Sequence, residues 1–216
     1  MYKTVVFDLD GTLLNTLTDL ADAGNRLCRK YGWPTHERQA YRYFVGNGIP
    51  KLVERLAPAD QRTPAVLEAA LADFKRDYGQ HLRDTTAPYP GIPEMLAKLK
   101  ANGVQLAVFS NKADALAKEV VKDYFGTQYF TIVRGQMTGV APKPAAEGTN
   151  ALLQALHADP ASTLYVGDSN VDVETAHNAN LPCCGAVWGF RTREELNAAG
   201  AEYLAENSDE LYDVIM

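Results

Sequence analysis

Asp8 and Asp10, separated by one residue in the run Asp8-Leu9-Asp10-Gly11-Thr12, are the first groups in the chain able to do chemistry. Two acids so close repel unless a cation, a proton or water offsets their charge. A second acidic pair, Asp168 and Asp172, stands in Gly167-Asp168-Ser169-Asn170-Val171-Asp172. Ser110-Asn111 offers a hydroxyl and an amide donor. Lys143 lies between Pro142 and Pro144, which fix the backbone and let its charge meet an anion. Each cluster alone has a plain structural explanation. Asp and Gly make turns, Ser and Asn cap helices, Asp172 in a first helical turn faces the helix dipole, and a loop lysine is solvated.

The elements that must position these residues make the four clusters a set. Apolar, β-branched runs predict strands at 3–7, 104–109, 129–133, 163–166 and 184–187. Helical spacing covers 92–102, 113–124, 145–157 and 170–179, and a last helix starts near Ser208 as its N-cap. Alternating strands and helices predict an α/β fold with a doubly wound, parallel (Rossmann-like) sheet. In such a sheet ligands bind at the carboxyl ends of the strands, where all four clusters fall.

Residues 14–85 break the alternation. Leu17, Leu20, Ala21, Gly24, Leu27, Cys28 and Tyr31 recur at helical spacing, as do Val66, Leu67, Ala70, Leu71, Phe74, Tyr78 and Leu82 behind a Thr63-Pro64 start. Shorter helices are expected at 39–45 and 51–56, and Ala87-Pro88-Tyr89-Pro90-Gly91 reads as the return linker. The expected organisation is an α/β core domain of 1–13 and 86–216, with an inserted small helical cap domain at 14–85.

Composition narrows the function classes. Of 216 residues, 46% are hydrophobic and 22% charged, which excludes a disordered or collagen-like chain. Net charge is −6, with the 21 basic residues scattered, so no nucleic-acid partner is expected. No apolar run reaches the length of a membrane span, and the start of the chain lacks a signal-peptide layout, so no membrane partner and a cytoplasmic location are expected. The three cysteines, Cys28, Cys183 and Cys184, form no Cys-x-x-Cys pair, and the four histidines are far apart in sequence. Neither a disulfide scaffold nor a zinc site is expected, and Cys183 and Cys184 read as packing residues of a buried strand.

Asp8-Leu9-Asp10-Gly11-Thr12, Ser110-Asn111, Lys143 and Gly167-Asp168-Ser169-x-x-Asp172 together resemble the four motifs of the haloacid dehalogenase superfamily, over essentially the whole chain. Val45-Gly46-Asn47-Gly48 and the segment from Trp188 to Leu196 are similar to those of phosphoglycolate phosphatases within it. Asn15 and Ala145-Ala146 depart from the family's usual pattern, at positions that perform no chemistry.

The resemblance implies a Mg2+-dependent phosphatase acting on a small phosphorylated substrate as a monomer or homodimer. Asp8 would be the nucleophile forming an aspartyl-phosphate, and Asp10 the general acid and base. Asp8, the Asp10 main-chain carbonyl and Asp168 would hold Mg2+, with Asp172 in support. Thr12, Ser110, Asn111 and Lys143 would hold phosphate oxygens, while Gly46, Asn47 and Gly48 would meet the leaving group. A phosphomutase or pyrophosphatase of the same superfamily would use the same motifs. A phospho-acceptor signalling module also pairs an Asp and a Lys with Mg2+, but needs neither Asp10 nor a cap.

Overall fold

Thr4–Phe7 forms β1, four residues buried at every position, as an apolar run covered on both faces should be. The computed structural model describes all residues, Met1–Met216. The chain divides into two compact units, Met1–Leu14 with Pro88–Met216, and Asn15–Ala87. The short strands β2 (Leu14–Asn15) and β3 (Ala87–Pro88), which pair with each other, mark the two crossings.

The inserted unit is helical: α1 (Leu17–Tyr31), α2 (Arg38–Phe44), α3 (Ile49–Leu56) and α4 (Pro64–Gln80). Thr63 caps α4 by accepting from the Val66 N–H, with Pro64 in the first turn. Leu20, Leu27, Tyr41, Leu52, Leu56, Phe74 and Tyr78 are among its buried side chains. Asn25 Oδ1 accepts from the Tyr41 hydroxyl at 3.0 Å, so the buried phenol keeps a partner. At the chain's return, the Asp19 carboxylate accepts from the N–H groups and hydroxyls of Thr85 and Thr86, at 2.5–3.2 Å.

The larger unit continues with α5 (Ile92–Ala101), β4 (Gln105–Ala113), α6 (Asp114–Phe125), β5 (Phe130–Gln136) and α7 (Ala146–Leu156). It ends with β6 (Thr163–Gly167), α8 (Asn170–Asn178), β7 (Cys183–Ala186), α9 (Arg193–Ala199), β8 (Tyr203–Ala205) and α10 (Ser208–Ile215). The sheet order is β5-β4-β1-β6-β7-β8, and its pairs are parallel. Val6, Ala107, Tyr165 and Cys183 share a face with Leu152, Leu156, Val173, Ala176 and Leu196 from α7, α8 and α9. On the other face Phe125 of α6 meets Phe130, which meets Phe7, both edge-on. No helix is long and apolar enough to cross a membrane.

Three local readings need correction. The strand expected to stop at 109 runs on to Ala113, and Ala113 stands at the start of α6. Ser110 and Asn111 therefore cap no helix. Asn207, not Ser208, caps α10, accepting from the N–H groups of Asp209 and Glu210. The segment around Glu194-Glu195-Leu196 forms α9, with a capping box between Thr192 and Glu195, and β8 follows it; the sequence pattern had marked neither element.

Candidate active site

The site begins where β1 ends. β1 lies between β4 and β6, with Phe7 opposite both Val108 and Val166. After β5 the chain crosses to the other side of β1, so the topological switch lies between β1 and β6. Asp8 follows β1 and Asp168 follows β6, so each carboxylate stands at the rim of this crevice. The Asp8 N–H donates to the Val166 carbonyl at 2.8 Å, extending the ladder one residue into the loop. Beyond it the chain folds tightly on Leu9, whose carbonyl accepts from the N–H groups of Thr12, Leu13 and Leu14. Trp188 Nε1 donates to the Thr12 carbonyl at 3.0 Å.

Gly11 is required in this loop. It sits at φ +93°, and a Cβ there would lie 2.2 Å from Asp168 Oδ2. The Asp168 carboxylate fills that space, accepting from the Phe190 N–H at 2.7 Å and the Thr12 hydroxyl at 3.3 Å.

Lys143 joins the acids. Its ammonium lies 2.9 Å from Asp8 Oδ1 and 2.7 Å from Asp172 Oδ1, with the Tyr165 ring 5.8 Å away. Burial disfavours the charge on Lys143, but Asp172 and Asp8 raise its pKa well above that of a free lysine. Asp172 is committed on its other oxygen, which accepts from the Ser169 N–H and hydroxyl and completes the capping box of α8. Asp172 is thus both a cap and the carboxylate that orients Lys143.

Asp8, Asp168 and Asp172 each offer an oxygen within 4.8 Å of the others, all three residues being buried. Burial, then the neighbouring Asp172 charge, pushes Asp8 up to about 7, against the pull of Lys143. Burial together with Asp172 and Asp8 also holds Asp168 well above the usual carboxylate range. Raised acids around a single ammonium mark a cluster short of positive charge. An all-oxygen donor set of this kind fits a hard divalent cation.

The other expected contacts are distributed differently from the sequence reading. Asn111 is turned onto Lys143: its Oδ1 accepts from the Lys143 N–H at 2.8 Å and its Nδ2 donates to the Lys143 carbonyl at 3.3 Å. The Thr12 hydroxyl is bound to Asp168. Each side chain thus holds a neighbouring residue of the cluster. Ser110 is buried, and its hydroxyl accepts from the Lys112 N–H at 3.2 Å. In the helical unit Gly46 and Gly48 have φ of +110° and +82°, and Asn47 Oδ1 accepts from Arg55 at 2.9 Å.

Lys112 is the residue the sequence reading missed. Its ammonium donates to both Asp10 oxygens, at 3.0 and 3.2 Å, and its side chain is 2% exposed. The signal in the sequence is adjacency to Ser110-Asn111, just past the apolar run that marks the strand at 104–109. The four histidines lie elsewhere: His81 pairs with Asp84, His177 with Glu202, His36 packs on Phe44, and His157 ends α7 in the left-handed conformation.

Acids at the carboxyl ends of adjacent parallel strands, gathered by a buried lysine at the switch point, define a doubly wound α/β protein with a carboxylate-centred site. The model of the haloacid dehalogenase-like hydrolases matches residues 5–186. A phosphoglycolate phosphatase of Chromobacterium violaceum is 31% identical over 216 residues, covering 99% of this chain and 96% of its own. One from Thiobacillus denitrificans is 31% identical over 191 residues, covering 87% of this chain and 84% of its own. A crystal structure of a candidate phosphoglycolate phosphatase from Lactobacillus delbrueckii subsp. bulgaricus superposes with a TM-score of 0.94 at 28% identity, covering 100% of this chain and 98% of its own. The chain belongs to the haloacid dehalogenase-like hydrolase family. Its curated relatives make it a phosphatase of that family.

Proposed function

We propose that the protein is a cytoplasmic, Mg2+-dependent phosphatase, a monomer or homodimer, that hydrolyses 2-phosphoglycolate through an aspartyl-phosphate on Asp8. The observation that carries this reading is the buried contact of Asp8 with Lys143 beside Asp168 and Asp172. The curated relatives named above are phosphoglycolate phosphatases, which supports the choice of substrate.

The side chains of Asp8 and Asp168 and the main-chain carbonyl of Asp10 would hold Mg2+, which when bound supplies charge neutralisation and Lewis acidity. Asp8 attacks phosphorus as the carboxylate, dividing one hard hydrolysis into two steps. Asp10 gives a proton to the departing alkoxide and takes one from the attacking water, each step leaving it in the form the next requires. Lys143 and Ser110 stabilise the phosphoryl oxygens, while Asn111 and Thr12 fix Lys143 and Asp168 in place. Gly46, Asn47 and Gly48 are proposed as the residues that meet the leaving group, since groups that grip phosphate alone cannot discriminate among monoesters.

A phosphate-release panel tests the reading, with 2-phosphoglycolate, pyrophosphate, nucleotides and sugar phosphates each supplied with Mg2+. The highest kcat/KM is expected for 2-phosphoglycolate. Isomerisation of a sugar phosphate without phosphate release, or a higher kcat/KM for pyrophosphate, would overturn it.

A further inference from the structure

We propose that Lys112 selects the anionic leaving group. In the resting protein its ammonium is held by Asp10, and it passes to the carboxylate of the substrate when a phosphorylated 2-hydroxy acid binds. The inference rests on the proposed assignment of Asp10 as the acid facing the leaving oxygen and of 2-phosphoglycolate as substrate.

The structure builds Lys112 into this place by a distortion of the sheet. Phe109 pairs with Arg134 and Ala113 with Gln136, so β4 advances four residues while β5 advances two. The extra residues form a bulge, and bulges re-aim side chains at strand ends. This one carries Ser110, Asn111 and Lys112. It packs directly on Gly135, where a Cβ would lie 2.4 Å from the Lys112 carbonyl oxygen and 2.6 Å from Asp114 Cα. The Gly135 N–H donates to Asp114 Oδ1 at 3.0 Å and ties the bulge to its neighbour. The bulge is a built feature, and its consequence is a second buried ammonium in the site.

That second ammonium has no duty toward the phosphoryl group in the proposed mechanism. Lys143 already stands against the nucleophile Asp8, whereas Lys112 stands against Asp10. An ester oxygen hydrogen-bonded to Asp10 would lie two hydrogen-bond lengths from the Lys112 ammonium, about 6 Å at most. In 2-phosphoglycolate a single methylene joins the ester oxygen to the carboxylate, so the carboxylate reaches into that interval.

The exchange replaces one carboxylate by another. A buried lysine left without a partner is strongly disfavoured, but here Lys112 keeps a charged acceptor throughout, and Asp10, released from the ammonium, takes a proton from solvent and turns its O–H to the ester oxygen. A neutral leaving group offers no charged acceptor, and Lys112 stays on Asp10. Selectivity thus follows because only an anionic leaving group can draw this buried donor off Asp10.

The test crosses two substrates with the enzyme and its variants. The substrates are 2-phosphoglycolate and its methyl ester, which has the same reach and no carboxylate charge. Wild type should prefer the acid in kcat/KM by about ten- to a hundredfold, the range of a charge-assisted contact to a buried group. Lys112→Met should lose most of that preference, and Lys112→Arg should keep it. A purely structural role would slow both substrates and leave the ratio unchanged, which would overturn the inference. Failure of wild type to hydrolyse 2-phosphoglycolate would overturn the substrate reading and the inference together.

Calorimetric binding covers the case in which Lys112→Met does not fold. Asp10→Asn should bind the acid more tightly than the ester, and Asp10→Asn/Lys112→Met, which buries neither charge of the pair, should bind them equally. A preference for the acid that persists in the double variant would overturn the inference.

Discussion

Replacing Asp8 by asparagine should abolish turnover and, in the metal-free protein, raise stability by an amount that grows with pH. The amide keeps the shape of the carboxylate but removes the proposed nucleophile and the charge that burial opposes. In the metal-free protein burial and Asp172 push Asp8 up to about 7 even with Lys143 beside it, against 3.8 for a free aspartate. Between those values the folded state holds a proton that the unfolded state has released, so wild-type stability falls as pH rises and levels off above the folded pKa. From pH 5 to pH 8 this amounts to about two pH units of full slope, about 2–3 kcal/mol at about 1.36 kcal/mol per unit. Asp8→Asn has no such proton. Its advantage should widen by about that amount between pH 5 and pH 8, a relative shift in Tm of about 5–10 °C for a chain of this size. The assay is thermal unfolding of both proteins in chelator at the two pH values, with phosphate release measured in Mg2+. A stability difference that does not change with pH would refute the account of Asp8 as a charge held against its environment. Turnover near wild type in correctly folded Asp8→Asn would refute its role as nucleophile.

Ca2+ in place of Mg2+ should bind but inhibit, because it accepts bidentate carboxylates that would engage both Asp8 oxygens; equal phosphate release with the two ions would contradict this. Gly11→Ala places a Cβ 2.2 Å from Asp168 Oδ2 at φ +93°, so it should destabilise by about 1–3 kcal/mol and lower kcat/KM about a hundredfold by displacing Asp168. Denaturant titration and phosphate release check both parts. In the helical unit, hydrogen bonds from Thr85 and Thr86 outweigh burial and hold the Asp19 pKa below its ordinary value. Asp19→Ala should therefore cost about 2–4 kcal/mol at pH 7, a difference that shrinks as pH falls through the folded pKa. Urea unfolding at pH 7 and pH 3 would measure it.

The α/β class was legible because its signals are local. The uninterrupted apolar run of β1 announced a strand buried on both faces, and the spacing of Leu20, Leu27 and Cys28 announced the apolar side of α1. Elements with weak local signals were not legible. The run Tyr203–Ala205 of β8 gains strand character only by pairing with β7, and β2 and β3 are two residues each. Ser208 and Asn207 are both good caps by type, and only the backbone geometry of Asn207 chose between them.

The candidate site divides along the same line. By itself the sequence determined which residues carry charge at the carboxyl ends of strands: Asp8, Asp10, Lys143, Asp168 and Asp172 each follow or precede an element whose end is marked locally. Tertiary structure alone decided what each of them faces. Asn111 and Thr12 have side chains equally able to hold an anion or a neighbour, and the fold turned them onto Lys143 and Asp168. Lys112 owes its place beside Asp10 to a mismatch of register between β4 and β5, a relation between segments far apart in the chain. Strand propensity and hydrophobic period describe a segment against its own immediate neighbours, whereas a bulge exists only relative to the strand it pairs with.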